Sequence, residues 1–181
     1  LKITSILTKR KVRYVVVSGY VPIVFGRSRQ TEDIDILLEK LSFEKFLLLW
    51  KDLVKHFECI NAADVGTAYK EYLKNDTSIR FAVRGFFIPN AELKFVKTDL
   101  DYYTIKNSLI LILNKKRLFI SPIELQISYK MFLGSEKDFE DARHLYKVFK
   151  EQLNMRLLKG HFKEMKVEKQ AEEVLWKKFR N

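Results

Sequence analysis

Cysteine occurs once in the 181 residues, at Cys59, which excludes an internal disulfide. The only histidines, His56, His144 and His161, are scattered along the chain, so they and the lone cysteine cannot assemble a zinc-type ligand cluster. Any catalytic metal is therefore expected on carboxylates. Apolar runs are short: Phe46 to Trp50 and Leu109 to Leu113 fall far below the ~20 residues that span a bilayer, so no membrane segment is expected. The opening Leu1-Lys2-Ile3-Thr4 carries neither a long apolar stretch nor a small-residue cleavage site, and the expected location is the cytoplasm. Acidic residues are the minority among the charges, 23 Asp and Glu against 34 Lys and Arg, and the excess of +11 favours polyanions such as nucleotides or nucleic acid. A solvated basic surface that only keeps the chain soluble is the plainer reading of the same excess. Apolar residues make up 47% of the chain, enough to fill one sizeable core.

Arg13 to Ser18 is a β-branched run stopped by Gly19, which reads as a buried strand ending in a turn. A helix then begins near Tyr20, with Pro22 in its first turn, where the missing N–H is not needed. Arg27 to Thr31 is a polar loop, and Asp33 to Leu38 reads as the next strand. Ser42 caps a helix of about four turns, whose apolar positions run from Phe43 to Phe57. From Ser78 the period changes to two, Ile79, Phe81 and Val83 alternating with Arg80 and Arg84. After a turn at Pro89-Asn90, Leu93 and Phe95 oppose Glu92, Lys94 and Val96. Leu109 to Leu113 and Leu118 to Ile120 form a further hairpin.

Ser121-Pro122-Ile123-Glu124 has the pattern of a capping box opening a helix that Gly134 ends. Ser135 starts another, with Phe139, Ala142, Tyr146, Phe149 and Leu153 as its apolar stripe. Beyond Gly160 the charged tail, Lys163 to Arg180, has apolar anchors at Val167, Val174, Leu175 and Trp176 and suits a docked or partner-binding helix. The order of elements, strands and helices first and helices last, gives an α+β class with a helical C-terminal part.

Transfer of phosphoryl or nucleotidyl groups needs a glycine turn that lets backbone N–H groups approach phosphate, and carboxylates on a rigid strand that bind Mg²⁺. The segment Ser18 to Asp35 supplies both. Alternate strand residues sit roughly 6.6 Å apart on one face. Asp33 and Asp35 can therefore share one metal or grip two ions roughly 4 Å apart, while Ile34 and Ile36 anchor the strand. Two carboxylates so placed repel each other unless solvent, a basic partner or a metal relieves them. Arg27 and Arg29 are close in sequence, with guanidinium forks suited to phosphate or to Asp33 or Glu32. A bare Asp-x-Asp is common at strand ends; the specific signal is the ordered combination of turn, spacer, Gly26-Arg27-x-Arg29-x-Thr31 loop and Asp33-Ile34-Asp35 strand.

This stretch resembles the signature of the polymerase-beta-like nucleotidyltransferases, a Gly-Gly or Gly-Ser turn followed by Asp-hydrophobic-Asp. It is similar in particular to the AbiEii-type, toxin–antitoxin-associated branch, through Ser18-Gly19, Arg29, Thr31, Asp33, Ile34 and Asp35. Ser18-Gly19 stands here in place of the usual turn, and Pro22 where the family helix is unbroken. The later segment from Ser121 to Tyr146 resembles that branch's second motif, a lysine helix followed by Lys-Asp-x-x-Asp, at Lys130, Lys137, Asp138 and Asp141.

The resemblance implies a nucleotidyltransferase α/β core over residues 1–120 and a helical part over 121–181 packed on it as one unit. It implies Mg²⁺, one ion or two, on Asp33 and Asp35, and an NTP held by Ser18, Gly19, Arg27, Arg29, Thr31 and Lys130, with Asp138 or Asp141 supporting the site. The third carboxylate of the superfamily falls on Glu92, with Asp99 and Asp101 as rivals. Each of these residues has a plainer role open to it: Asp138 as a helix-capping acid, Lys130 as a snorkelling side chain, Glu92 as a cross-strand partner of Lys94 or Arg80. The implied reaction moves a nucleoside monophosphate from an NTP to a hydroxyl. RNA such as a tRNA end, a partner protein and a small hydroxylated molecule are the acceptors left open, with a cognate toxin or antitoxin as a partner. The alternative is a catalytically inactive module of the same fold that binds nucleotide or nucleic acid.

Overall fold

A computed structural model describes residues 2–176. In chain order the elements are α1 (Lys2–Lys9), β1 (Tyr14–Val16), α2 (Tyr20–Val24), β2 (Asp33–Leu38), α3 (Phe43–Leu53), β3 (Glu58–Cys59) and α4 (Val65–Thr67), the last continued by wider and tighter helical turns to Asn75. Then follow β4 (Ile79–Ala82), β5 (Asn90–Phe95), α5 (Asp99–Lys106), β6 (Leu109–Leu113) and β7 (Lys116–Ile120). The helices α6 (Ile123–Leu133), α7 (Glu136–Phe149), α8 (Met155–Glu164) and α9 (Glu168–Ala171), with a π turn to Trp176, complete the described residues.

Among the described residues seven strands form one mixed sheet in the order β3-β4-β5-β2-β1-β7-β6. β1 runs antiparallel to β2, and β2 runs parallel to β5, in register from Asp33 opposite Asn90 to Leu38 opposite Phe95. The C-terminal halves of the central strands are apolar and buried, as in Ile36-Leu37-Leu38, and anchor the polar N-terminal half of β2 in a rigid frame. The β6–β7 hairpin turns on Asn114 and Lys115, both with positive φ (51° and 62°), the geometry that matches the right-handed twist of paired strands.

Ser42 caps α3 as its sequence indicates, accepting from the Lys45 N–H, and Phe46, Leu49 and Leu53 on its buried face each contribute about 2 kcal/mol by leaving water. The helix stops at Leu53, a turn short of the expected Phe57. The Leu53 carbonyl is taken by the N–H groups of both His56 and Phe57, and Arg84 donates to the Val54 carbonyl. α1, α5 and the helical segment 65–75 escape the apolar-period reading, being short or of mixed polarity.

By contacts the chain divides into two units, residues 2–20 with 30–120 and residues 21–29 with 121–176. In the second unit the capping box expected at Ser121 does not form. Pro122 is the N-cap, the Ser121 hydroxyl donates to Gln126, and the Glu124 carboxylate accepts from the Asn154 N–H instead. Gly134 ends α6 at φ 75°, and Ser135 caps α7 by accepting from the Asp138 N–H. Gly160 does not mark a boundary: it lies inside α8, which Asn154 caps. The tail anchors Val167, Val174 and Leu175 are buried, and the Trp176 indole donates to the Tyr146 hydroxyl. The last part of that tail, 177–180, lies outside the described residues. Among the described residues no helix is long and apolar enough to cross a membrane.

Candidate active site

Period-two alternation in β2 puts Asp33 and Asp35 on one face, and the parallel register with β5 sets Glu92 directly beside Asp35. Three carboxylates therefore share one face of two adjacent strands. Burial pushes the Asp35 pKa above the ordinary carboxylate range; a hydrogen bond from Ser18 works against the rise, Asp33 and Glu92 add to it, and Lys94 opposes it. The Glu92 carboxylate is held from both sides, by the Arg80 guanidinium at 2.7 Å and the Ser78 hydroxyl at 3.0 Å. Arg80 stands opposite Glu92 in the β4–β5 register, so the cross-strand pairing anticipated for it is present. The rivals do not reach this face: Asp101 closes a capping box with Thr98, and Asp99 is an exposed residue in the first turn of α5.

The loop before β2 and the turn after β1 support the pair. The Thr31 hydroxyl donates to the Asp33 carbonyl at 3.1 Å and lies 3.3 Å from its carboxylate. The Val17 N–H donates to the Asp35 carbonyl at 3.0 Å, which ties the end of β1 to β2. Ser18 then adopts a left-handed conformation, φ 59°, a region that favours glycine. For a serine that conformation costs about 1 kcal/mol. The same hydroxyl donates to Asp35, so the strained residue serves the carboxylate. Ser18→Gly is expected to relieve the backbone while removing that hydrogen bond, leaving global stability within about 1 kcal/mol of wild type and moving the Asp35 pKa further up. Carboxyl titration by NMR reads the shift directly; an unmoved Asp35 would show that the serine hydroxyl does not support it.

The second group of motif residues meets within the helical unit. Asp141 is completely buried and takes a bidentate fork from Arg29, Nε and Nη2 each at 2.9 Å. Lys130, 3% exposed, donates to Asp138 at 2.6 Å and lies 3.1 Å from Asp141. Arg27 pairs with Glu140 and approaches Asp141 at 3.8 Å. Burial works to raise the Asp138 pKa, but the Lys130 ammonium and the Ser135 hydroxyl outweigh it, and the net shift is downward. Arg27, Arg29, Lys130, Asp138 and Asp141 are thus brought together, each cation facing a carboxylate. His144 bonds the Phe25 carbonyl and Phe149 meets the Phe25 ring edge-on, so segment 21–29 packs with α7. Sequence reasoning gave Ser78 and Glu140 no role, because their contacts depend on strand register and long-range packing; Lys94 it named only as a partner for Glu92.

Magnesium takes hard oxygen donors, commonly one or two carboxylates completed by water and substrate phosphates. Asp33 and Asp35 fit that donor chemistry, and a cation would relieve the negative charge of Asp33 and Glu92 that adds to the burial-driven rise at Asp35. Among the described residues no group of three or more His, Cys, Asp or Glu is placed to hold a metal.

Compared by sequence, the chain matches no family model and no curated protein. Compared by structure, it resembles an antigenic nucleotidyltransferase-like protein from Paracoccidioides brasiliensis, with a TM-score of 0.56 and 14% identity over 93% of this chain and 86% of that one. It resembles the antibiotic-resistance factor ANT(2'')-Ia, with a TM-score of 0.56 and 11% identity over 95% and 91% of the two chains. A protein from H. pylori whose structure is described as that of a putative nucleotidyltransferase gives 0.53 and 17% identity over 99% and 85%. The fold is therefore the one these nucleotidyltransferase-like structures share, a mixed sheet with flanking helices.

Proposed function

We propose that the protein is a nucleotidyltransferase that moves a nucleoside monophosphate from an NTP to a hydroxyl acceptor, with Asp33 and Asp35 as the metal-binding carboxylates. The observation that carries this reading is the convergence of Asp33, Asp35 and Glu92 on one face of β2 and β5, beside the Ser18-Gly19 turn, in this fold. Mg²⁺ held by the two aspartates would neutralise charge on the triphosphate and the leaving pyrophosphate.

The chain's own groups do the rest. The Ser18-Gly19 turn receives phosphate oxygens, and Ser18 and Thr31 fix Asp35 and Asp33. Glu92, oriented by Arg80 and Ser78, takes the proton of the acceptor hydroxyl as its oxygen attacks the α-phosphorus. The new O–P bond forms as the bond to the pyrophosphate oxygen breaks. Lys130, Asp138, Asp141 and Arg29 keep the Arg27–Arg29 segment in one conformation through the buried ion cluster. The net charge of +11 fits an RNA acceptor.

Calorimetric titration of NTPs with and without Mg²⁺ tests the assignment. Wild type is expected to bind in a metal-dependent way, and Asp33→Ala/Asp35→Ala to lose that binding while keeping its fold. Metal-independent binding, or none by folded wild type, would move the reading to an inactive module of the same fold.

A further inference from the structure

The strand at one end of the sheet lacks the usual protections against pairing. Among the described residues β6 is the last strand in the sheet order and pairs with β7 alone. All five of its residues are leucine or isoleucine, with no charge, proline or glycine among them. Natural edges are usually blunted by charges, prolines, bulges or a covering element. Here Ile110 is 56% exposed, Ile112 62% and Leu109 43%. An added strand would continue the backbone ladder and cover Ile110 and Ile112 with its alternating side chains.

Charge decides which strand fits. From Lys106 to Arg117 there is no acidic residue, while Lys106 precedes the strand and Lys115, Lys116 and Arg117 follow it. A second copy paired antiparallel about Leu111 would bring Lys115 and Lys116 of each copy toward Lys106 of the other, and facing like charges oppose cross-strand pairing. A segment with acidic ends meets attraction at both ends.

We propose that β6 is a docking edge for an extended, β-branched segment flanked by Asp and Glu on a partner polypeptide. The surface is independent of the nucleotidyl-transfer reading, and its test does not rely on NTP binding.

Two short synthetic peptides with the same alternating valine–threonine centre, one with acidic and one with basic ends, are titrated into the full chain by fluorescence anisotropy at two salt concentrations. Light scattering gives the mass of the free protein. The expected result is a monomer that binds the acidic-ended peptide, more weakly at high salt. Ile110→Lys/Ile112→Lys, which alters only exposed side chains, is expected to weaken that binding about tenfold or more, because the new charges would be desolvated by the docked strand. An unchanged thermal midpoint checks the variant's fold. A wild-type dimer that this variant dissociates would assign the edge to a second copy and overturn the proposal. Equal binding of both peptides, or of neither, would overturn it as well.

Discussion

Asp35→Asn is expected to cut nucleotidyl transfer by about a hundredfold or more, the scale on which losing one preorganised electrostatic contact acts, and to stabilise the metal-free protein at neutral pH. The second effect follows from the raised pKa of Asp35, set first by burial and then by its carboxylate neighbours against the Ser18 hydrogen bond. A carboxyl whose folded pKa lies above its unfolded value favours the folded state while protonated. Its contribution is fully present below the unfolded carboxylate range and is lost as pH rises through the raised folded value. The amide carries no such penalty, so the thermal midpoints of wild type and variant are expected to converge in acid and to separate, variant above wild type, toward neutrality. Added Mg²⁺ would shift wild type upward and leave the variant nearly unmoved, since only a state that binds the ion gains from it. A variant that transfers at the wild-type rate would remove Asp35 from the mechanism.

Asp141→Ala is expected to be the most damaging change to stability. Asp141 is fully buried and takes the Arg29 fork with the Lys130 ammonium beside it, so its loss removes the carboxylate that the nearly buried Arg29 fork faces, while Lys130 keeps Asp138. Breaking a buried ion pair from one side costs about 3–5 kcal/mol, because the remaining charge keeps its desolvation penalty without its partner. Lys130→Met is the informative contrast: Asp141 retains the bidentate Arg29, and the methionine fills the apolar path of the lysine stem, so a smaller loss is expected. Urea unfolding at constant slope measures both. A cost under about 1 kcal/mol for Asp141→Ala would mean that the cluster does not hold the helical unit.

Much of the local structure was legible because it rests on local rules. The boundaries of β2 follow from the Asp33–Leu38 alternation and its flanking polar loop, and the Ser42 and Ser135 caps and the Gly134 stop from chemistry within one helical turn. The same rules misread Ser121-Pro122-Ile123-Glu124, because the hydroxyl of Ser121 and the carboxylate of Glu124 were each taken by a more distant group, Gln126 and Asn154. They also overran α3, which stops at Leu53, where the His56 N–H tightens onto the Leu53 carbonyl and Arg84 takes the Val54 carbonyl.

By itself the sequence determined that Asp33 and Asp35 share a face, since the strand period of two requires it, and that Ser18-Gly19 forms the turn before them. Only the tertiary structure decided that Glu92 stands beside Asp35, because that depends on the parallel pairing of β2 with β5 across more than fifty residues of chain. Likewise only folding set Arg29 against Asp141, 112 positions away, and carried segment 21–29 into the helical unit. Periodicity and capping act over a few residues, whereas register and buried charge pairing are fixed when distant segments meet, by which side chains can then satisfy one another out of water.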